Sequence, residues 1–199
     1  MDTTPPPPGR VPPPFYLLAS MVVRLFVRLV YGLRASGQEH VPRTGGCVVG
    51  VNHVSAWDPL VVGISTPREI HFMAKKELFA CWLSRRVCRG LRAFPVDRAA
   101  NDIGAVKEAL RRLQRGHAIG IFFEGTRRAR GDGAAHEGAA FLAQRAGVPL
   151  VPAAIWRDGH AFRVAFGPAL RAGGRSREET ARLTTELAAA VRALLPSRT

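Results

Sequence analysis

From residue 47 onward the chain alternates short apolar runs with longer amphipathic stretches. The runs at 47–51, 70–74, 118–123, 148–155 and 163–166 have the length and composition of strands. Between them, residues 102–115 place Ile103, Val106, Leu110 and Leu113 on one helical face and close at Gly116. Helices are also expected at 138–146 and 177–195, the second opened by Ser176 and Glu179 at capping-box spacing. Strands alternating with helices predict an α/β domain with a mainly parallel sheet flanked by helices. No internal repeat and no second domain are visible.

The first 34 residues follow other rules. Residues 1–14 hold seven of the fifteen prolines and cannot supply regular backbone hydrogen bonds, so they read as a disordered or polyproline-type tail. Residues 15–34 form one amphipathic helix ahead of a domain that runs from 35 to 199. On that helix Phe15, Leu18, Val22, Leu25, Phe26, Leu29 and Leu33 share a face, while Ser20, Arg24, Arg28 and Tyr31 share the other. Its longest uncharged stretch, 15–23, is nine residues, against about 20 for a bilayer span. Two readings fit this pattern. The helix lies in a membrane interface with Arg24 and Arg28 at the lipid phosphates, or it packs on the domain with its arginines in water.

Charge narrows the partners. The 199 residues carry a net charge of +14, and 26 of the 29 basic residues are arginine. Such a surplus suits nucleic acid, an anionic membrane or a phosphorylated ligand, although an arginine-rich codon usage produces the same excess. Aromatic residues are 8% of the chain, too thin for a base-stacking platform, so no specific nucleic-acid partner is expected. Three cysteines without a CxxC pair indicate neither a disulfide framework nor a zinc ribbon, and fit a reducing, cytosolic-side setting. Phosphate-loop, dinucleotide-binding, zinc-protease and nucleophile-elbow motifs are absent from the sequence.

Candidate chemistry sits in loops after the apolar runs, where open α/β sheets bind ligands. The loop after 47–51 carries His53 and, five residues on, Asp58. A carboxylate at that spacing can fix the tautomer of an imidazole base. Asp58 also precedes Pro59, so it alternatively caps a helix that begins there. After 118–123 come Glu124, Gly125, Thr126, Arg127 and Arg128, which offer close backbone approach, a hydroxyl and guanidinium groups to an anionic headgroup. Phe94-Pro95-Val96-Asp97-Arg98 follows an arginine-dense stretch containing Arg85, Arg86, Arg89 and Arg92. The segment 148–152, punctuated by Pro149 and Pro152, reads as a sheet edge or pocket wall.

In this order the blocks at 52–58, 94–98, 123–127 and 148–152 resemble the glycerolipid acyltransferases, whose best-known members are the 1-acylglycerol-3-phosphate (lysophosphatidic acid) acyltransferases. The likeness includes 74–79 and 138–143 and covers roughly residues 35–170. It implies that His53 is the catalytic base and Asp58 its charge partner. It implies further that Arg98, Glu124, Gly125, Thr126 and Arg127, with Lys75, bind the acceptor, and that Val151 and Pro152 serve the acyl-donor side. No cofactor or metal is implied beyond acyl-CoA or acyl-carrier protein as co-substrate. The implied acceptor is a lysophospholipid, and the implied location is the cytoplasmic face of the cell membrane, peripheral or monotopic. Two positions depart from the family pattern. Phe123 stands where proline is usual, and His136-Glu137 precede Gly138 where lysine is usual. Both changes bear on the acceptor headgroup, so a glycolipid or amino-acid lipid is the alternative acceptor.

Overall fold

The computed structural model describes residues 14–55, 57–82, 85, 88, 92–96, 103–123 and 134–196. Helix α1 (Pro14–Tyr31) leads into a seven-stranded sheet. In chain order its strands are β1 (Arg34–Ser36), β2 (Cys47–Asn52), β3 (Ile70–Lys75), β4 (Phe94–Val96), β5 (Ala118–Phe123), β6 (Leu150–Asp158) and β7 (Ala161–Phe166). The described helices between and after them are α2 (Asp58–Ser65), α3 (Ile103–Gln114), α4 (Ala134–Ala146) and α5 (Arg177–Leu194), with short 3-10 turns at Gln38–His40 and Lys76–Phe79.

The spatial order is β1-β7-β6-β2-β5-β3-β4. Among the described residues every pairing between these strands is parallel except β6 against β7, a hairpin turned at Gly159 with φ 60°, and an isolated antiparallel bridge joins Leu150 to Leu170. The expected α/β class and mainly parallel sheet are therefore what the chain adopts. Strand β2 lies in the middle, all six residues buried, because helices cover both faces. On one face Val49, Val51, Phe72, Val151 and Ile155 pack with Val61 and Val62 of α2 and Val27 of α1. On the other, Val48, Ile119, Leu150 and Ala154 meet Leu113 of α3, Ala139, Ala140 and Ala143 of α4, and Leu183, Leu187 and Val191 of α5. Cys47 is buried in the first of these clusters, with Val49 and Val51; desolvation pushes its thiol up to about 11, so it stays a small protonated hydrophobe.

Two expectations change. Segment 148–152 is no edge: β6 sits between β7 and β2. Pro152 is tolerated because its missing N–H falls at the last rung of the β6–β7 ladder, where its carbonyl accepts from Gly167 N at 2.9 Å just past the end of β7. The second change concerns α1. Arg24 does not point outward to lipid; its Nε donates to the Ile64 carbonyl at 2.7 Å, at the end of α2. Tyr31 meets Phe162 edge-on with ring centroids 5.7 Å apart. Arg24, Val27 and Tyr31 thus form the inner stripe, and Met21, Val22, Leu25, Phe26, Leu29 and Val30 stay exposed, Leu29 at 75%. Among the described side chains of α1, Val27 is buried, Arg24 bonds inward and Arg28 is exposed, while most of the apolar side faces out. No described helix is long and apolar enough to cross a membrane.

The capping expectation at α5 holds in half. Ser176 Oγ accepts from Glu179 N at 3.2 Å, but the Glu179 carboxylate turns to Gly173 N and to Arg182 instead of reciprocating. At the amino edge of the sheet, Arg68 donates to the carbonyls of Pro42 (3.0 Å), Gly45 (2.7 Å) and Gly116, tying three loops together.

Candidate active site

The carboxyl ends of β2, β3, β4, β5 and β6 share one edge, and β2 delivers His53 there. Asn52, the last residue of β2, is buried and completes the sheet with its side chain. Its Nδ2 donates to the Ile155 carbonyl at 2.8 Å, and its Oδ1 accepts from Ile155 N at 2.8 Å. A primary amide offers one donor and one acceptor in the spacing of a peptide group, so it extends the β2–β6 ladder while the main chain turns away.

The chain then folds back on Asp58, whose side chain is fully buried. One oxygen, Oδ2, accepts from Val54 N at 2.6 Å, Ser55 N at 2.8 Å and His53 Nδ1 at 2.8 Å. An oxygen already receiving two backbone N–H groups is an acceptor, so Nδ1 carries the imidazole proton and Nε2 keeps its lone pair. This decides between the two roles open to Asp58. It is the first residue of α2, but its carboxylate reaches backward to the loop and the imidazole and does not cap the helix behind it. Ser55 Oγ accepts from Trp57 N at 3.3 Å, a loop bond.

His53 is partly open, 24% of its side chain exposed. One face of the ring is covered by Phe122 of β5, centroid 4.8 Å away and tilted by 38°. Phe122 stacks in turn on Phe72 of β3 at 5.4 Å. Around this edge Val54, Trp57, Leu78 and Trp82 are exposed apolar side chains, Trp57 at 61% and Trp82 at 71%.

The other residues expected at the site fall unevenly. Lys75 ends β3 at the same edge, with its side chain outside the described residues. Arg98, Glu124, Gly125, Thr126 and Arg127 also lie outside the described residues, as do Arg86, Arg89 and Arg128. Val151 and Pro152 are interior to β6, level with Val49 and Gly50, and Val151 is wholly covered by core neighbours. Arg85 donates to the Phe79 carbonyl at 2.7 Å and Arg92 pairs with Glu69, so both have structural partners. No local residue pattern indicates the roles of Asn52 and Phe122. Their partners are Ile155, 103 positions away, and a ring on a neighbouring strand.

A second ionisable cluster sits at the opposite, amino edge. His71 Nδ1 accepts from Arg112 Nη1 at 3.0 Å, its ring stacks on His117 at 4.5 Å, and Glu69 pairs with Arg92 beside it. Burial is the largest influence on His71 and lowers its proton affinity, the nearby Arg112 and Arg92 adding to it against Glu69. Burial, then His71, lowers His117 to about 4. Glu69 is lowered by His71 and Arg92, against the opposing effect of its burial. Both rings are held neutral by their surroundings and lie far from His53 along the strands.

A partly open imidazole bonded to a buried carboxylate, at the carboxyl edge of a parallel sheet, marks the candidate site of an α/β enzyme. Comparison with known proteins specifies the class. Residues 32–156 match the Acyltransferase family. The 1-acyl-sn-glycerol-3-phosphate acyltransferase of Bacillus subtilis (strain 168) is 33% identical over 140 residues, covering 70% of each chain. That of Streptococcus pneumoniae is 34% identical over 101 residues, covering 50% of this chain and 38% of its own. The crystal structure of the 1-acyl-sn-glycerophosphate (LPA) acyltransferase PlsC from Thermotoga maritima shares the fold. It has a TM-score of 0.63 and 20% identity over 93% of this chain and 89% of that one. The chain belongs to the acyltransferase family, among the relatives of the lysophosphatidic acid acyltransferases, and is an O-acyltransferase.

Proposed function

We propose that the protein moves a fatty acyl group from an acyl thioester, acyl-CoA or acyl-carrier protein, to the free hydroxyl of 1-acylglycerol-3-phosphate, giving phosphatidic acid. The observation that carries this reading is the His53 Nδ1 to Asp58 Oδ2 bond at 2.8 Å, which leaves Nε2 as the free base. A lipid hydroxyl is a weak nucleophile at neutral pH, and a positioned imidazole removes its proton as oxygen attacks the thioester carbon. The hydroxyl proton passes to Nε2, and Asp58 stabilises the imidazolium. The tetrahedral adduct then expels the thiolate, which takes the same proton back, so ester and free thiol leave with His53 neutral again. Arg98 and Arg127 hold the acceptor phosphate, Lys75, Glu124, Gly125 and Thr126 belong to the acceptor-binding side, and Val151 and Pro152 back the donor side, as the family likeness implies. No metal or cofactor enters this scheme.

The same reading places the protein at the cytoplasmic face of the cell membrane as a peripheral or monotopic enzyme. The outward apolar face of α1, the net charge of +14 and the exposed Trp57 and Trp82 support it.

The test incubates purified protein with acyl-CoA or acyl-carrier protein and a panel of acceptors, with products read by mass spectrometry. Phosphatidic acid formed from 1-acylglycerol-3-phosphate, and lost in a folded His53→Ala variant, is the expected result. Product on a glycolipid or amino-acid lipid alone, in line with Phe123 and His136, would replace the acceptor. Full activity in His53→Ala would overturn the mechanism.

A further inference from the structure

We infer that Phe122 is a positioning residue for His53: its ring is the flat wall that, together with Asp58, confines the imidazole to one orientation. The inference rests on His53 being the base. Asp58 bonds Nδ1 and the side-chain attachment holds Cβ, so two points of the imidazole are restrained and rotation about the line joining them is left open. A single hydrogen bond does not set the plane of a ring. Phe122 supplies the missing constraint, with centroids 4.8 Å apart and planes 38° from each other.

Phe122 is itself held in place. It belongs to β5, in register with Val51 of β2, two residues before His53, so strand pairing fixes its backbone relative to the catalytic loop. Behind it Phe72 stacks at 5.4 Å and 17° between planes. Phe72 in turn sits where only glycine leaves room: a Cβ on Gly120 would come within 2.2 Å of its Cε1 and 2.6 Å of its Cδ1. The row Phe72, Phe122, His53 therefore runs from the core to the open edge, each ring seated on the one behind. Aromatic faces prefer such offset or tilted contacts, which gives the row a defined geometry. In proton transfer the direction of the Nε2 lone pair matters as much as its presence, and small displacements of a base are costly in rate.

The consequence is a split between turnover and binding. Phe122→Leu keeps apolar volume and removes the flat wall. It is expected to lower kcat by about tenfold with KM for donor and acceptor unchanged, since only the base is misaligned. In long-range proton–nitrogen spectra of the full-length protein, the His53 imidazole is expected to change from one neutral tautomer with a bonded Nδ1 proton to an averaged signal. Phe72→Leu, which does not touch His53, is expected to change both readouts in the same direction and less, and it serves if Phe122→Leu fails to fold. An unchanged kcat and an unchanged His53 signal in the folded variants would overturn the inference, as would a loss confined to KM. The nitrogen spectra do not depend on turnover. If His53→Ala proves active, the base assignment fails by itself while the spectra still report whether Phe122 orients the ring.

Discussion

Asn52 and Ile155 exchange two hydrogen bonds, each 2.8 Å, between a side-chain amide and a backbone peptide group 103 residues away. The pair is buried and stands one residue before His53. Replacing Asn52 by alanine leaves the N–H and C=O of Ile155 without partners in a dry sheet, at a cost of about 1–3 kcal/mol for each unsatisfied group. Asn52→Ala should therefore lower the urea midpoint without changing the slope of the transition, and Asn52→Asp, which cannot donate to the carbonyl, should do no better. A midpoint equal to that of the parent protein would show that the rung is not needed.

The carboxylate of Asp58 has three donors on one oxygen, and two of them are backbone. Asp58→Asn can keep its amide oxygen on those three donors, because Oδ1 has no partner to lose, but it removes the negative charge that stabilises an imidazolium at His53. Acyl transfer should fall by about a thousandfold or more, with circular dichroism unchanged. Asp58→Ala should cost additional stability, since Val54 N and Ser55 N lose their acceptor. Activity near that of the parent in Asp58→Asn would mean that the carboxylate charge is not needed.

His71 and His117 make stability depend on pH. Both bind a proton less readily in the folded chain, His117 at about 4 against its ordinary 6.5. Between those values the unfolded chain carries protons that the folded chain does not. Stability is complete above about 6.5 and declines as pH falls through that window. Glu69, lowered beneath 4.5, adds a loss in the same direction at lower pH. Melting temperature should drop from pH 7 to pH 5, and His117→Gln should flatten that slope. A melting temperature constant over this range would show that the cluster does not exclude protons.

Arg24 separates two ideas of how α1 is used. If it met lipid phosphate, Arg24→Ala would weaken binding to anionic vesicles. Because it bonds the Ile64 carbonyl, the substitution should leave vesicle binding intact and lower stability by about 1 kcal/mol. Leu25→Glu with Leu29→Glu should do the reverse, releasing the protein from sedimenting vesicles with little change in melting temperature. Sedimentation indifferent to the paired glutamates would place the lipid contact elsewhere.

Much of the architecture was legible from residue patterns, for a physical reason in each case. Strands β2, β3 and β5 are buried, so their apolar runs announce them. β1 and β4 are three residues each, and β1, largely exposed, has no burial pattern to read. β6 was visible as a strand, but its place was misread from Pro152, because whether a missing N–H matters depends on where the neighbouring strand stops. The His53–Asp58 pair was legible because both residues belong to one loop. Asn52 with Ile155, and Phe122 with His53, were not, because strand pairing across the sheet brings them together. Periodicity separates an apolar from a basic face on α1, although Leu33, read onto the apolar face, lies past the end of the helix and packs on the core. It assigned the basic face to the outside, since sequence does not reveal the carbonyls at the end of α2 that Arg24 satisfies.

Helix α2 begins with Asp58 and ends at the carbonyl that Arg24 grips. Its eight residues span about 12 Å. The carboxylate that bonds His53 and the bracket that holds α1 thus lie at the two ends of one strut, with no slack segment between them. Wherever α1 rests, the imidazole stands at a fixed offset from it, set by a count of residues. Lengthening α2 by one turn would move that offset by about 5 Å and leave His53 and Asp58 themselves unaltered.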